Sequence, residues 1–176
     1  EDIEKWEQSL HFGLSPRHFN TVHEKTNILF GAGLDDVWEN IETGELHIVD
    51  YKSTAQLSQS PKPLNRDFLE DPWKAAYKRQ MDMYQWIMRR KGFNVSNTGF
   101  FLYVDGQHIG IKGMLNKRKV KEATMVFNAE IIPYEGDDSW VEKALIDAKR
   151  TLLRKTCPPF AKDDEHKIFF DDMKKA

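Results

Sequence analysis

Cysteine is nearly missing from this chain. Cys157 stands alone among 176 residues, which excludes an internal disulfide and any metal centre built only from cysteines. Long apolar runs are missing as well. No stretch approaches the ~20 apolar residues that a membrane-crossing helix needs, and no signal-peptide pattern opens the chain. Neither sign of charge dominates. A net charge of −2 excludes a strongly basic nucleic-acid coat protein but leaves room for a local basic patch. The expectation from these absences is an intracellular, cytoplasmic protein with no membrane partner. Methionine does not stand at position 1, where the residue is Glu1, so a truncated or processed N-terminus is expected.

What is present suits one domain. A length of 176 residues with 40% hydrophobic content is enough for a full core, and a single domain over residues 1–176 is expected. Ile3, Trp6 and Leu10 recur at helical spacing, so residues 2–10 read as the end of a helix. His11 to Lys25 reads as polar and irregular. Asn27–Gly33 and Leu34–Asn40 read as two strand segments, or one long strand bent at the glycines. Glu42-Thr43-Gly44-Glu45 forms a hairpin turn with glycine available for positive φ, and Leu46–Lys52 is the partner strand.

Ser53 to Pro72 reads as a long loop and a candidate lid. Trp73–Lys91 is the clearest helix, with Ala76, Met83, Trp86, Ile87 and Met88 on its apolar face and Gly92 at its stop. Strands are expected over Thr98–Val104 and Ala123–Tyr134, the second alternating through Met125, Phe127, Ala129 and Ile131. A last helix runs from Trp140 to about Lys155, capped by Asp138-Ser139 with Glu142 at the capping-box position. This order gives an α/β fold with a mixed β-sheet flanked by helices.

The chemistry concentrates at Val49-Asp50-Tyr51-Lys52. Asp50 and Lys52 are two apart on a strand, so both side chains leave one face. Antiparallel pairing across the Gly44 turn carries Asp36 toward them. Alternation sets Asp36 on the face of Leu34 and Trp38 and points Asp35 away. A bulge at the glycines exchanges the two, so Asp35 stands as the alternate. Two facing carboxylates repel unless a cation neutralises them, and a divalent metal does so with oxygen ligands.

Mg²⁺, with Mn²⁺ as a substitute, is therefore expected on Asp36, Asp50 and the main-chain carbonyl of Tyr51. Lys52 is expected to orient the attacking water or contact a phosphate. Gln80 and Tyr84 lie four apart on one helix face. His23 precedes the strand region and is a further alternate. Lys74, Lys78, Arg79, Arg89, Arg90 and Lys91 offer phosphate contacts along the helix, and Lys117-Arg118-Lys119 forms a second basic run.

Gly33-Leu34-Asp35-Asp36, then Ile48-Val49-Asp50-Tyr51-Lys52, then Gln80-Met81-Asp82-Met83-Tyr84 resemble in their order the PD-(D/E)xK nuclease superfamily, specifically its RecB-like branch. The resemblance covers roughly residues 26–105. It implies a restriction-endonuclease-like α/β sandwich, metal binding by Asp36 and Asp50, a catalytic Lys52, and positioning of the DNA strand by Gln80 and Tyr84. It favours Asp36 over Asp35. Many relatives, the CRISPR-adaptation exonuclease among them, carry an iron–sulfur cluster on several cysteines. Cys157 alone cannot supply one, so no iron–sulfur cluster is expected.

The functional expectation is a Mg²⁺- or Mn²⁺-dependent DNA nuclease, exonucleolytic or single-strand-directed, in repair, recombination or defence. DNA is the expected partner, with a helicase or recombination protein as a second one. The competing readings are a non-catalytic nucleic-acid-binding or scaffold module that keeps the fold, and a metal-dependent hydrolase of another phosphoester.

Overall fold

A computed structural model of the chain describes residues 19–56, 62–107, 125–161, 164, 167 and 173. The helix expected over residues 2–10, the basic run at 117–119 and the start of the strand expected from 123 lie outside the described residues. Within them, the chain builds a mixed α/β fold on a four-stranded mixed sheet. The order along the chain is β1 (Asn20–His23), β2 (Ile28–Gly31), β3 (Asp36–Glu39), β4 (Leu46–Thr54), α1 (Ala75–Arg90), β5 (Thr98–Gln107), β6 (Val126–Glu135) and α2 (Val141–Leu152).

The main sheet has the order β3-β4-β5-β6. β4 pairs antiparallel with β3 and parallel with β5, and β6 returns antiparallel to β5. A parallel pair requires a crossover, and α1 supplies it between β4 and β5. The helix packs Met81, Ile87 and Met88 against Ile48, Phe101 and Ile132 of the sheet, all at most 1% exposed. Val141 and Leu145 of α2 complete this core. Gly92, at φ 89, terminates α1 in the left-handed region, and Gly44, at φ 69, makes the β3–β4 turn as expected.

Several expectations are corrected. Among the described residues before Lys25, residues 20–23 are not irregular but form β1, which pairs with β2 as a separate two-stranded sheet. Asn27 turns the hairpin at φ 53, a conformation asparagine tolerates, and the His23 carbonyl accepts from the N–H groups of Thr26 and Asn27. The segments on either side of the glycines are thus not one bent strand, since β2 and β3 belong to different sheets.

The segment expected as a long loop is largely ordered among its described residues. β4 runs on to Thr54, and 3₁₀ turns cover Arg66–Glu70 and Pro72–Lys74. In β6 the residues up to Ile131 are exposed on both faces, and Ile132, opposite Phe101, is the buried one. The capping box on α2 does not form. Asp138 is taken by Arg89, at 2.6 Å, and the helix begins without a side-chain cap.

α1 buries polar groups in its apolar stripe, while Ala76 is exposed. Gln85 is fully buried and donates to the carbonyls of Asn97 (2.7 Å) and Ser96 (3.3 Å). Asp82, 5% exposed, accepts from Tyr134 Oη (3.0 Å), Asp137 N (3.1 Å) and Trp140 Nε1 (2.9 Å). One carboxylate therefore ties α1 to the end of β6 and the start of α2. Burial, and then the Asp82 charge, push the Tyr134 hydroxyl up, so it stays a donor. Asp82→Ala leaves three donors unsatisfied and is expected to cost about 3 kcal/mol or more in denaturant unfolding. Asp82→Asn, which keeps an acceptor, is expected to cost less.

Candidate active site

The register of β4 decides which side chains meet. Ile48, Asp50 and Lys52 face α1, while His47, Val49 and Tyr51 face the other way. Asp36 pairs with Val49, and partners across a ladder point to the same side, so Asp36 lies on the face opposite Asp50. There it is fully engaged. Its carboxylate accepts from Val37 N (2.8 Å), Trp38 Nε1 (3.1 Å) and the Tyr51 hydroxyl (2.5 Å). That hydrogen bond, with burial and the Asp36 charge, pushes the Tyr51 hydroxyl up to about 12. The expectation that Asp36 joins Asp50 is overturned by this register.

Asp35, the alternate, takes that place. β3 begins only at Asp36, so β4 has no strand partner beyond Val49 on that side. The Asp35 side chain fills the gap by accepting from Tyr51 N at 2.8 Å. Its carboxylate lies near enough to Asp50 to raise that group's pKa by charge and by a shared hydrogen bond. Leu34 is buried in the core immediately before the exposed Asp35. The irregular backbone at residues 32–34 is what breaks the alternation.

Asp50 is 2% exposed. Burial is the largest influence on it and pushes its carboxyl up, Lys52 opposes this, and Asp35 adds to it. Lys52 Nζ forms an ion pair with Asp50 Oδ2, donates to Gln80 Oε1 at 3.4 Å and sits 4.7 Å from the centre of the Tyr77 ring. Gln80 Nε2 donates to the Tyr84 hydroxyl. The Gln80 amide is therefore oriented by both neighbours, nitrogen toward Tyr84 and oxygen toward Lys52. Burial raises the Tyr84 hydroxyl pKa, the Gln80 hydrogen bond lowers it, and the charges of Asp50 and Asp35 raise it further.

Five expected groups thus converge: Asp50, Lys52, Gln80, Tyr84 and the alternate Asp35. His23 does not. It is buried against Trp86, with Nδ1 2.8 Å from Thr26 Oγ1 and Nε2 3.9 Å from Glu142 Oε1. The basic residues of α1 are also mostly committed to ion pairs, Lys78 with Glu70, Arg89 with Asp138 and Arg90 with Glu24.

Two tyrosines escaped the sequence reading. Tyr77 lies three residues before Gln80 and seven before Tyr84, a helical spacing that was the available signal. Tyr103 pairs with Lys52 across β4 and β5 and faces the same side, though its apolar strand gave it the look of core. It is 1% exposed, its hydroxyl has no hydrogen-bond partner among the described residues, and burial with Tyr77 and Asp50 nearby pushes it up to about 12.

Among the described residues no group of three or more His, Cys, Asp or Glu side chains converges as a metal cage. The donors that do converge, the Asp35 and Asp50 carboxylates, are hard oxygens set against each other's charge. The Tyr51 carbonyl leaves its strand on the same edge as the N–H that Asp35 holds. Mg²⁺ and Mn²⁺ suit such a set, because they accept one or two carboxylates and complete their shell with water.

The raised Asp50 pKa has a definite sign. Its contribution to stability is present below the ordinary carboxyl range and is lost as pH rises through the raised value. Asp50→Asn is therefore expected to gain melting temperature relative to wild type as pH rises above the ordinary carboxyl range. Added Mg²⁺ is expected to raise the melting temperature of wild type and of Asp36→Asn, but not of Asp35→Asn or Asp50→Asn. A Mg²⁺ response lost in Asp36→Asn and kept in Asp35→Asn would reverse the ligand assignment. No family model, no curated protein and no solved structure matches this chain.

Proposed function

We propose that this protein is a Mg²⁺- or Mn²⁺-dependent DNA nuclease of the PD-(D/E)xK, RecB-like kind, with a restriction-endonuclease-like α/β sandwich. The observation that carries this reading is the convergence of Asp35, Asp50 and Lys52 at the end of β3, with Gln80 and Tyr84 of α1 on the same side. Asp35, Asp50 and the Tyr51 carbonyl would hold the metal, which when bound would supply charge stabilisation for the phosphate and a water of lowered pKa. Lys52 places a fixed positive charge beside the same point, where negative charge develops on the phosphoryl oxygens. Gln80 positions Lys52 by accepting from it, and the Tyr84 hydroxyl in turn fixes the amide of Gln80.

Asp36 has no direct part in this chemistry. It holds Tyr51 on the far face and stiffens the strand that carries Asp50 and Lys52. A helicase or recombination partner would bring substrate to such a site, and repair, recombination or defence is the setting that this activity serves.

The test is incubation with linear and circular DNA in Mg²⁺, in Mn²⁺ and in chelator. Wild type is expected to degrade DNA only with metal, and Lys52→Ala to lose about 100-fold or more in rate. Asp35→Asn and Asp50→Asn are expected to be inactive, whereas Asp36→Asn keeps most of the activity. Intact DNA under every condition sinks the nuclease reading. Metal-independent DNA binding equal in wild type and variants, without cleavage, supports the non-catalytic binding module instead.

A further inference from the structure

Where β4 ends, an open cleft of about 370 Å³ lies between the strand and the 3₁₀ turn that leads into α1. Gln56, Lys62, Phe68, Asp71, Trp73 and Lys74 are among its walls. Trp73 is the unusual member, since its indole is 83% exposed although the chain around it is tightly held. Asp71 Oδ1 accepts from Trp73 N at 3.2 Å and fixes the turn. The next residue, Lys74, lies 4.6 Å from the centre of the Phe68 ring and 5.5 Å from those of Tyr77 and Tyr103. Gln56 donates to Lys62 O and accepts from Lys62 N, while its own N–H bonds Asp105 of β5, so the opposite wall is also pinned. A flat aromatic surface thereby stands in water on a backbone that is hydrogen-bonded in place.

One ring joins a lysine of the cleft wall to the lysine of the acid pair. Lys52 Nζ and Lys74 Nζ both lie over Tyr77, at 4.7 and 5.5 Å from its centre. Ammonium groups therefore lead from Asp50 and Lys52 to Lys74 and on to Lys62, which is paired at 3.5 Å with Asp71. Asp71 is the opposing charge in the cleft, and its two oxygens are taken by Lys62 and by Trp73 N. An exposed indole beside a track of lysines is the combination that holds a single strand, the ring stacking on a base and the ammoniums following the backbone. A duplex keeps its bases stacked on each other and cannot offer one to the indole without unpairing it.

We propose that this cleft binds a single-stranded nucleic acid, with a base stacked on Trp73 and the adjoining phosphate on Lys74, and so feeds a single strand to the acid pair. The proposal rests on the nuclease reading of that neighbouring site, and it narrows the substrate to a strand already unpaired.

Binding measured in chelator, where nothing is cleaved, separates the two. The probes are labelled oligo-dT, oligo-U and a blunt hairpin duplex, followed by fluorescence anisotropy with wild type, Trp73→Ala and Trp73→Phe. Trp73→Ala is expected to weaken single-strand binding about 10-fold or more, and Trp73→Phe to restore most of it. Duplex binding should be the same in all three proteins, and the melting temperature of Trp73→Ala should match wild type. Tighter binding of oligo-dT or of oligo-U assigns the strand as DNA or RNA. Wild-type affinity in Trp73→Ala, equal losses on duplex and single strand, or no single-strand binding by wild type overturns the proposal. Trp73-dependent binding without cleavage under any metal condition leaves the cleft standing and removes the nuclease reading. Cleavage with Trp73→Ala binding like wild type does the reverse.

Discussion

A carboxylate kept out of water next to a second carboxylate is the constraint around which this structure is arranged. Asp50 sits in the middle of the sheet, under α1, where burial alone favours the neutral acid. Lys52 offsets part of that penalty from two positions along the strand, and Asp35 adds to it from the neighbouring segment. A pair of this kind is poor design for stability, since an apolar residue at position 50 would pack without needing any partner. Its presence in an otherwise well-packed core is the strongest physical reason to look for chemistry here.

α1 answers to two demands at once. Its apolar residues seal the sheet, while its polar ones are divided between structure and site. Buried Asp82 accepts from a main-chain, an indole and a phenol donor, and buried Gln85 donates to main-chain carbonyls. Tyr77, Gln80 and Tyr84 lie along the stripe facing Lys52 and Asp50. Loss of an Asp82 contact therefore loosens the same helix that orients Gln80. Stability and site geometry are coupled through one rigid element rather than through direct contact.

The elements most legible in the sequence were those with strong periodicity or punctuation. α1, the Gly44 turn and β4 could be read because Gly92, Gly44 and the Asp50–Lys52 alternation each leave a local mark. The choice between Asp35 and Asp36 could not be read, because it depends on how the chain crosses residues 32–34, where alternation is suspended and Leu34 turns into the core. β1 was missed because a four-residue strand of Asn, Thr, Val and His has no apolar row of its own; its Asn20 and His23 are buried by packing supplied from elsewhere. Which of Ile131 and Ile132 in β6 is buried is not legible in the pattern, because both faces of the strand carry apolar residues. Tyr103 was missed for the related reason that a tyrosine in an apolar strand reads as core until its neighbour across the sheet is known.

The early end of β3 ties these points together. Had β3 continued two residues further toward its N-terminus, Leu34 would sit opposite Tyr51 and its carbonyl, rather than the Asp35 side chain, would accept from Tyr51 N–H. Because the strand stops, Tyr51 N–H is left without a main-chain acceptor, and the Asp35 carboxylate turns in to supply one. The same termination leaves the Tyr51 carbonyl directed into the gap, beside two acids. On its other edge β4 stays paired with β5 as far as Thr54, which holds Asp50 and Lys52 in register with Phe101 and Tyr103. A strand secured along one edge and released along the other holds Asp50 and Lys52 in register while the Asp35 side chain closes the open edge. That asymmetry, more than any single residue, is what sets the Asp35 and Asp50 carboxylates and the Lys52 ammonium side by side.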